Sequence, residues 1–395
     1  MKNRIKTIKI LLIAVIVLFA TGCQTYDNFV DVWITHKAVE RSVIRIGVFE
    51  PLSGEDKAYG ELERIGIELA HEQYPTALGK DIELVYADNQ SDVYVGETAA
   101  LDLVEKGVSA VLGSYGSVNS LIGAPIFEES KIPAIAITNT NPLVTSNNKY
   151  YCRVCFVESF QGVALAKYTV EERLVTEAAV LIPSNDDRAQ AVTKSFSDKL
   201  NQMGGKVSLT IGFTPGSENY ESQLKRIKES GLKVCFLPAE IKDSIRIINQ
   251  ADILGLRCLF LGTDDWETED LINQAGTAGT NSVAFSSLFD EAAGTAETEK
   301  FMRLFHAKYG EEAVVEQPTV LAYDAYLIAR SAIIEAGTST RGEIILEKIL
   351  GHRDFQGASG SISFNEIGNP TKSVAIKTIR DKAFTTVFTV IPSWG

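Results

Sequence analysis

The sequence VLGSYGSVNSLIGAPIFEESKIPAIAITNTNP, residues 111–142, predicts a strand, a polar loop, a helix, a second strand and a second polar loop. Glycine, serine and tyrosine at 113–116 break the apolar run that begins near Val108, and Ser117 is predicted to cap the helix that follows. A helix N-terminus beside a strand end presents unpaired N–H groups and the positive end of a dipole. The first polar loop therefore suits a carboxylate or another compact anion.

A second polar loop follows the next strand. The strand predicted at 132–137 delivers Thr138, Asn139 and Thr140 to the same edge of the sheet, where the crevice residues of open α/β sheets gather. Two neighbouring strand ends rich in hydroxyl groups form a candidate half-site for a small ligand. The alternative is that Ser117 only caps its helix and that the threonines only shape a turn.

Strand and helix patterns alternate on both sides of this stretch. A first series runs from residue 43 to about 173, and a second runs from 177 to 287. Repeated alternation predicts an α/β fold with parallel sheets covered on both faces, and each series is long enough for a doubly wound lobe. Three helical patterns between 296 and 350 and three strand patterns between 358 and 390 complete the chain.

The composition is that of a globular protein with material for two domains. The chain has 395 residues, 45% of them hydrophobic and 23% charged, and its formal net charge is -13. Because this charge would repel a phosphate backbone, nucleic acid is not an expected partner.

The sequence contains no motif that predicts catalysis or a cofactor. No G-x-G-x-x-G loop follows the first strand of the second series and no Gly-Lys-Ser/Thr loop occurs, so a nucleotide cofactor is not expected. The four histidines are scattered, which argues against a metal site and a Ser-His-Asp triad. These absences favour a binding protein over an enzyme.

The N-terminal segment resembles a bacterial lipoprotein signal. Positive charges precede an apolar run at 10–20, and the small residues Ala-Thr-Gly stand directly before Cys23. The pattern predicts that residues 1–22 are a signal peptide, that Cys23 carries lipid, and that 23–42 tethers an extracytoplasmic protein to the cell membrane. The alternative, a short transmembrane anchor, conflicts with the run's length, because spanning takes about 20 residues.

The four other cysteines are predicted to be buried thiols. Cys152 and Cys155 are three residues apart in a strand pattern, which sends their side chains to opposite faces and argues against a redox or zinc pair. Cys235 and Cys258 lie in two short apolar strand patterns. Free thiols are expected there, and a disulfide between them stays open because an extracytoplasmic space permits one.

Seven segments together resemble the leucine/isoleucine/valine-binding proteins of ABC importers, a family of type I periplasmic binding proteins. They occur in the family's order and extend over nearly all of the chain from residue 43. The segments are IRIGVFEPLSG with Tyr59-Gly60, VLGSYGS, IPAIAITNTNPLVT, INQADILGL, FLGTDDW, AYDAYLIARSAIIEAG and DFQGASGSISFNEIGNP.

The resemblance implies two similar α/β lobes joined by three hinge crossovers, with the ligand enclosed between the lobes. Closure is hinge motion, and the closed form is what a membrane ABC permease would recognise. The crossovers are expected near residues 157–159, 286–288 and 364–366. The expected lobes are 43–157 plus 288–364 and 158–287 plus 365–395.

On the first lobe, the resemblance assigns the ligand's carboxylate and ammonium to a serine and two loop positions, and it assigns an aromatic residue to cover the ligand. Hydroxyl groups and helix N–H groups suit the anion, and an aromatic ring suits a lid. The candidate ligand-binding residues are Tyr59, Tyr115, Gly116, Ser117, Thr138 and Thr140.

On the second lobe, Asp264 matches the acid that pairs with the ligand's ammonium. Glu240 stands where the family usually has an aromatic residue, and Asp187-Arg188 stands where it often has Tyr-Gly. Asp187, Glu240 and Asp264 are predicted to form an acidic wall that selects a ligand with extra positive charge or several donors. The alternative is that Asp187 and Glu240 point away. Trp266 and Tyr115 are each expected either at the cleft mouth or in ordinary packing.

The leading functional hypothesis is a lipid-anchored solute-binding component of an ABC importer for an amino acid or a related small polar compound. A second hypothesis keeps the fold for ligand sensing or an accessory role in the envelope, without transport. A third, an extracytoplasmic hydrolase, lacks any base or nucleophile placed beside an oxyanion donor.

Overall fold

The computed structural model describes residues 42–279, 282–291 and 294–390. The predicted signal, Cys23 and the predicted tether up to residue 41 lie outside the described residues. Within these ranges, every helix is too short or too polar to cross a bilayer.

The first lobe is built on a sheet of six strands. They are β1 (Ile44–Glu50), β2 (Thr76–Ala77), β3 (Lys80–Asp88), β4 (Ala110–Gly113), β5 (Ala134–Ala136) and β6 (Tyr151–Arg153). Their order is β2-β3-β1-β4-β5-β6, and all neighbours run parallel except the two-residue β2. The central strand β1 is buried along nearly its whole length, as expected for a parallel sheet covered on both faces.

Four helices follow these strands in alternation. They are α1 (Lys57–Gln73), α2 (Val93–Lys106), α3 (Ser117–Glu129) and the single turn α4 (Leu143–Ser146). The start of α2 is fixed by Asp92, whose carboxylate accepts hydrogen bonds from the N–H groups of Tyr94 and Val95. Gly107 ends this helix in the left-handed conformation.

The second series repeats the pattern. Its strands are β7 (Glu177–Pro183), β8 (Lys206–Phe213), β9 (Val234–Phe236), β10 (Leu259–Gly262) and β11 (Val283–Ser287). Its helices are α5 (Glu158–Lys167), which continues as a π-helical turn (Tyr168–Glu172), α6 (Asp187–Gln202), α7 (Glu221–Ser230), α8 (Ile241–Ile253) and α9 (Glu269–Gly279). Val192, Phe196 and Leu200 are spaced four apart along α6 and form its buried face.

The remaining elements complete both lobes. They are α10 (Ala296–Tyr309), α11 (Gln317–Ala336), α12 (Gly342–Gly351), β12 (Phe355–Gly357), β13 (Gly360–Phe364), β14 (Pro370–Thr371), β15 (Val374–Arg380) and β16 (Ala383–Val390). The second sheet has the order β16-β15-β11-β10-β9-β7-β8, and β15 and β16 are antiparallel additions to its edge. Strands β12, β13 and β14 form a small separate sheet.

Helix α11 packs on α1 of the first lobe. The contact is close, because a Cβ added at Gly66 would lie 1.9 Å from the Thr319 carbonyl oxygen. The Tyr326 hydroxyl also donates to the Tyr74 carbonyl at 2.7 Å. The late helices therefore return to the lobe that the start of the chain builds.

The two-lobed α/β architecture predicted from the sequence is confirmed. Within the described residues the chain leaves the first sheet for the second after Arg153, leaves the second sheet after Ser287 for the late helices and the small sheet, and returns to the second sheet after Thr371. The exact hinge residues and lobe bounds stay predictions.

Several predicted bounds differ from the observed ones. The apolar pattern of residues 150–157 predicts a strand of that length. The observed strand β6 is only three residues long, because its partner β5 offers three positions and β6 is the edge of the sheet. The helical pattern of residues 161–173 predicts a helix that starts at Gln161, but α5 begins earlier, at Glu158. Cys152, Cys155, Cys235 and Cys258 are buried free thiols, so no disulfide joins Cys235 to Cys258.

Replacing Gly66 with alanine is expected to lower the free energy of unfolding by about 1–3 kcal/mol, the usual cost of overpacking. The obstructing atom is the backbone oxygen of Thr319, which cannot rotate away as a side chain would. Gly351→Ala is the control, because nothing lies within 4 Å of its added Cβ. Urea unfolding measures both variants, and equal midpoints would contradict the close packing of α1 on α11.

Candidate ligand-binding site

The carboxyl ends of both sheets face a common cleft between the lobes. The loops after β4 and β5 and the segments after β7, β9 and β10 line two adjoining cavities of about 380 Å³ and 270 Å³. Together they are called the cleft below. The residues that line both cavities are Tyr115, Thr138, Arg188, Asp264 and Asp265.

The loop after β4 ends in the N-terminus of α3. Gly116 is the N-cap, with a φ of +81° that glycine adopts without strain. The prediction that Ser117 caps the helix is wrong, because Ser117 is already the first helical residue and no side chain caps α3. Gly116 and Ser117 both line the cleft, so the free N–H groups of this helix end are available to an anion.

The loop after β5 is held in place by Arg153, which sequence reasoning missed. This arginine is fully buried at the end of β6. Its guanidinium donates to the carbonyl oxygens of Asn139 at 2.5 Å and of Asn141 at 2.8 Å. The N–H of Glu158 donates to the Thr140 carbonyl at 2.9 Å. The loop therefore has one defined conformation, with Thr138 and Thr140 at the cleft.

Asn139 leaves a polar group unsatisfied in this loop. It lines the cleft and is 2% exposed, yet neither amide atom of its side chain has a hydrogen-bond partner among the described residues. Buried polar groups are nearly always paired, so this amide is a candidate for a ligand contact.

Two tyrosines form an aromatic face on the first lobe. The rings of Tyr59 and Tyr115 stack with centroids 4.6 Å apart and an interplanar angle of 3°. Both line the larger cavity, and Tyr59 is 39% exposed. The pair can cover an apolar or cationic portion of a ligand.

On the second lobe, Asp264 is anchored by groups from distant segments. The Gln161 side chain donates to the Asp264 carboxylate at 2.7 Å and accepts from the Asp264 N–H at 3.0 Å. Gln317 of α11 donates to the Asp264 carbonyl at 3.1 Å. Burial and the neighbouring charge of Asp265 raise the pKa of Asp264 to about 7, against the opposing effect of Arg188.

Arg188 lies at the centre of the acidic groups, a role that the sequence analysis did not assign to it. Its guanidinium pairs with Glu158, with Asp265 and, at 3.4 Å, with Asp264. Burial alone would lower the pKa of Arg188, but Asp265, Asp264 and Glu158 together hold it above its ordinary value. Arg188 therefore remains charged and neutralises part of the cluster.

The predicted acidic wall is only partly assembled at the cleft. Asp264 and Glu240 line it, together with Asp265, Glu316 and the base Lys242. Asp187 is exposed in the first turn of α6 and is absent from the lining of both cavities. The prediction that Asp187 belongs to the acidic wall is therefore wrong, and the side chain of the adjacent Arg188 lines the cleft instead.

Trp266 belongs to the core of the second lobe and not to the cleft mouth. It is fully buried, and its indole N–H donates to the Ala239 carbonyl at 3.1 Å. A Cβ at Gly262 would lie only 2.0 Å from the indole ring. Ordinary packing, the alternative given above for this residue, is what the structure shows.

The structure thus brings most predicted site residues together. Ser117, Thr140 and Asp264 line one cavity, and Tyr59, Glu240 and Asp264 line the other. Within the described residues, no group of histidine, cysteine or acidic side chains is arranged to hold a metal ion. Hydroxyls and N–H groups on one side and carboxylates on the other suit a ligand with both an anionic and a cationic end.

Comparison with known proteins agrees with this architecture. The family described as "Periplasmic binding protein" matches residues 43–383. Leu/Ile/Val-binding protein homolog 2 of Brucella abortus is 26% identical over 335 residues, which are 84% of this chain and 88% of the relative.

Two solved structures share the fold. A leucine-binding protein of Thermotoga maritima MSB8 has a TM-score of 0.77 and 31% identity, and the match covers 88% of this chain and 99% of that one. The branched-chain amino acid transporter substrate binding protein of Streptococcus pneumoniae, solved with isoleucine, has a TM-score of 0.76 and 26% identity over 89% and 100% of the chains. These proteins bind solutes and are not enzymes. The resemblance predicted from sequence motifs is confirmed, and the chain belongs to the periplasmic binding protein family.

Proposed function

We propose that this protein is the solute-binding component of an ABC importer and that it encloses an amino acid in the cleft. The observation that carries the proposal is the meeting of Ser117, Thr140 and Asp264 in one cavity. Relatives that are named for binding leucine, isoleucine or valine support it.

The two lobes offer complementary halves for a zwitterion. The ligand's carboxylate would lie at the N-terminus of α3, near the hydroxyls of Ser117 and Thr140, where N–H groups and the helix dipole favour negative charge. Its ammonium would pair with Asp264 across the cleft. The Tyr59–Tyr115 stack would cover the ligand from the first lobe.

The charge of the cleft indicates which kind of side chain the ligand carries. Acidic residues outnumber basic ones in the lining of the cleft. The bases are Arg188 and Lys242, and the acids are Glu158, Glu240, Asp264, Asp265 and Glu316. Glu267 also lines it, but Lys377 neutralises this acid at 2.5 Å. Closing a cleft over excess negative charge is costly unless the ligand supplies positive charge. A cationic or donor-rich amino acid therefore fits better than an aliphatic one.

In the proposed role, the protein works at the outer face of the cell membrane, where lipid on Cys23 anchors it, and it delivers its ligand to a permease. Uptake of the ligand in a strain without the gene is the test of transport. Lost uptake supports the importer, whereas intact uptake with a lost response to the ligand would favour the sensing role.

Calorimetry with a panel of amino acids is expected to show preference for lysine, arginine or ornithine over leucine and isoleucine by about tenfold or more. The physical reason is the excess of carboxylates at the cleft. Tighter binding of a purely aliphatic amino acid would refute the acidic wall while leaving the cleft itself as the binding site.

Asp264→Asn is expected to weaken ligand binding by about 30-fold or more, the cost of removing one partner of a desolvated charge pair. Since the pKa of Asp264 in the free protein is about 7, wild-type affinity is expected to fall as the pH drops below 7, because the carboxylate must be ionised to hold an ammonium. The variant should lack this decline. Asp252→Asn, an exposed change on α8, is the control. Titrations from pH 5 to pH 8 measure both effects, and a decline retained by Asp264→Asn would contradict the pairing.

Cys23→Ser is expected to move the protein from the membrane fraction to the soluble fraction, because its lipid anchor would be lost. Fractionation and immunoblotting measure the change, with Cys235→Ser as the control for a buried thiol. A variant that stays in the membrane fraction would contradict lipidation at Cys23.

A further inference from the structure

Two glutamates beneath the first-lobe half-site have no role in the mechanism above. Glu50 ends β1, and Glu63 lies in the second turn of α1. Both are completely buried. A buried carboxylate is costly unless its oxygens are partnered, so each needs an explanation.

One oxygen of each carboxyl group accepts a hydrogen bond from a loop that lines the cleft. Glu50 Oε2 accepts a hydrogen bond from the Tyr115 N–H at 2.7 Å. Glu63 Oε1 accepts from the Thr138 hydroxyl at 2.5 Å. Tyr115 follows β4 and Thr138 follows β5, so each acid fixes one side of the half-site.

The other oxygen of each carboxyl group, Glu50 Oε1 and Glu63 Oε2, is buried and has no hydrogen-bond partner among the described residues. The two buried carboxyl groups act on each other directly, since each shifts the pKa of the other, and a hydrogen bond between these two oxygens would give both of them a partner. Two ionised carboxylates cannot form such a bond, because one of them must donate a proton. The surroundings are tight, since a Cβ at Gly113 would lie 2.1 Å from Glu50 Oε1.

Among the residues that the structure describes, no basic side chain pairs with either glutamate. The titratable groups that face it are Tyr115, Tyr151 and Cys155, which are uncharged. Asp88, opposite Glu50 on β3, instead accepts hydrogen bonds from the Leu52 and Ser53 N–H groups. Among the described contacts, a shared proton is therefore what removes one of the pair's two negative charges.

We propose that Glu50 and Glu63 are positioning residues that share a proton and thereby join the Tyr115 and Thr138 loops into one rigid ligand half-site. The proposal rests on the proposed function in taking these loops as the ligand-binding surface. The pair would act through Tyr115 and Thr138 without touching the ligand.

The protonation behaviour agrees with this arrangement. Burial, and then the charge of Glu63, hold the pKa of Glu50 well above its ordinary value, and burial raises the pKa of Glu63 to about 7. Between the ordinary glutamate range and pH 7, the folded protein therefore binds more protons at this pair than the unfolded chain does. The pair's contribution to stability is complete at low pH and decreases as the pH rises through about 7.

The test compares glutamine with methionine at each position. Glutamine can replace the shared proton by an amide N–H, and it keeps an oxygen that accepts the hydrogen bond from the loop. Glu50→Gln and Glu63→Gln are therefore expected to bind ligand within about threefold of wild type. Methionine has a similar volume and no strong acceptor. Glu50→Met and Glu63→Met are expected to lose about tenfold or more in affinity while remaining folded, because a buried donor is left unpaired. Glu129→Gln and Glu129→Met, at the exposed end of α3, are the controls.

A role in packing alone would make glutamine and methionine equivalent, and that result would overturn the proposal. A second readout needs no ligand. Wild-type free energy of unfolding is expected to fall between pH 5 and pH 7 more steeply than that of Glu63→Gln, by up to one proton per molecule. Equal slopes would overturn the shared proton. If wild type binds no amino acid at all, the proposed function has failed, and the unfolding slopes still decide this inference.

Discussion

The carboxylate of Asp264 has to be satisfied inside a protein interior, and the segments that satisfy it set the shape of the cleft. Gln161 reaches it from α5, Arg188 from α6 and Gln317 contacts its backbone from α11 of the other lobe. Because a buried charge without partners is costly, Gln161 and Arg188 keep α5 and α6 beside the Asp264 carboxylate, and Gln317 links α11 to the same residue. A residue that joins both lobes is well placed to sense a ligand between them.

The two sides of the cleft are built on different physical principles. Apart from Glu316, the first-lobe side contributes neutral groups, namely hydroxyls, helix N–H groups and two stacked rings, and its buried acids Glu50 and Glu63 are arranged beneath the surface to position those groups. The second-lobe side contributes charge, with Arg188 offsetting part of a larger number of acids. In the proposed mode of binding, a zwitterion would meet the complement of each end on a different lobe, so binding would favour closure of the lobes over it.

The fold could be predicted from the sequence because the signals for strands, helices and loops are local. Apolar runs such as IRIGVFE and the turn chemistry of GSYG decide strand and loop in place, and the sheet edge then gathers Ser117, Thr138 and Thr140. What the sequence could not show depends on long side chains meeting across the fold. Gln161 and Asp264 are 103 residues apart, and nothing near Arg153 indicates that its guanidinium holds another loop. The predicted N-cap at Ser117 is wrong by one residue. Gly116 takes the N-cap position, and the first residue of a helix is hard to predict to within one residue.

Native mass spectrometry of the protein purified without refolding measures most directly whether the cleft encloses an amino acid. We predict that wild type carries the added mass of one small amino compound and that Asp264→Asn, purified in the same way, does not. A wild-type protein that shows no added mass, and gains none after incubation with the amino-acid panel, would contradict the central claim.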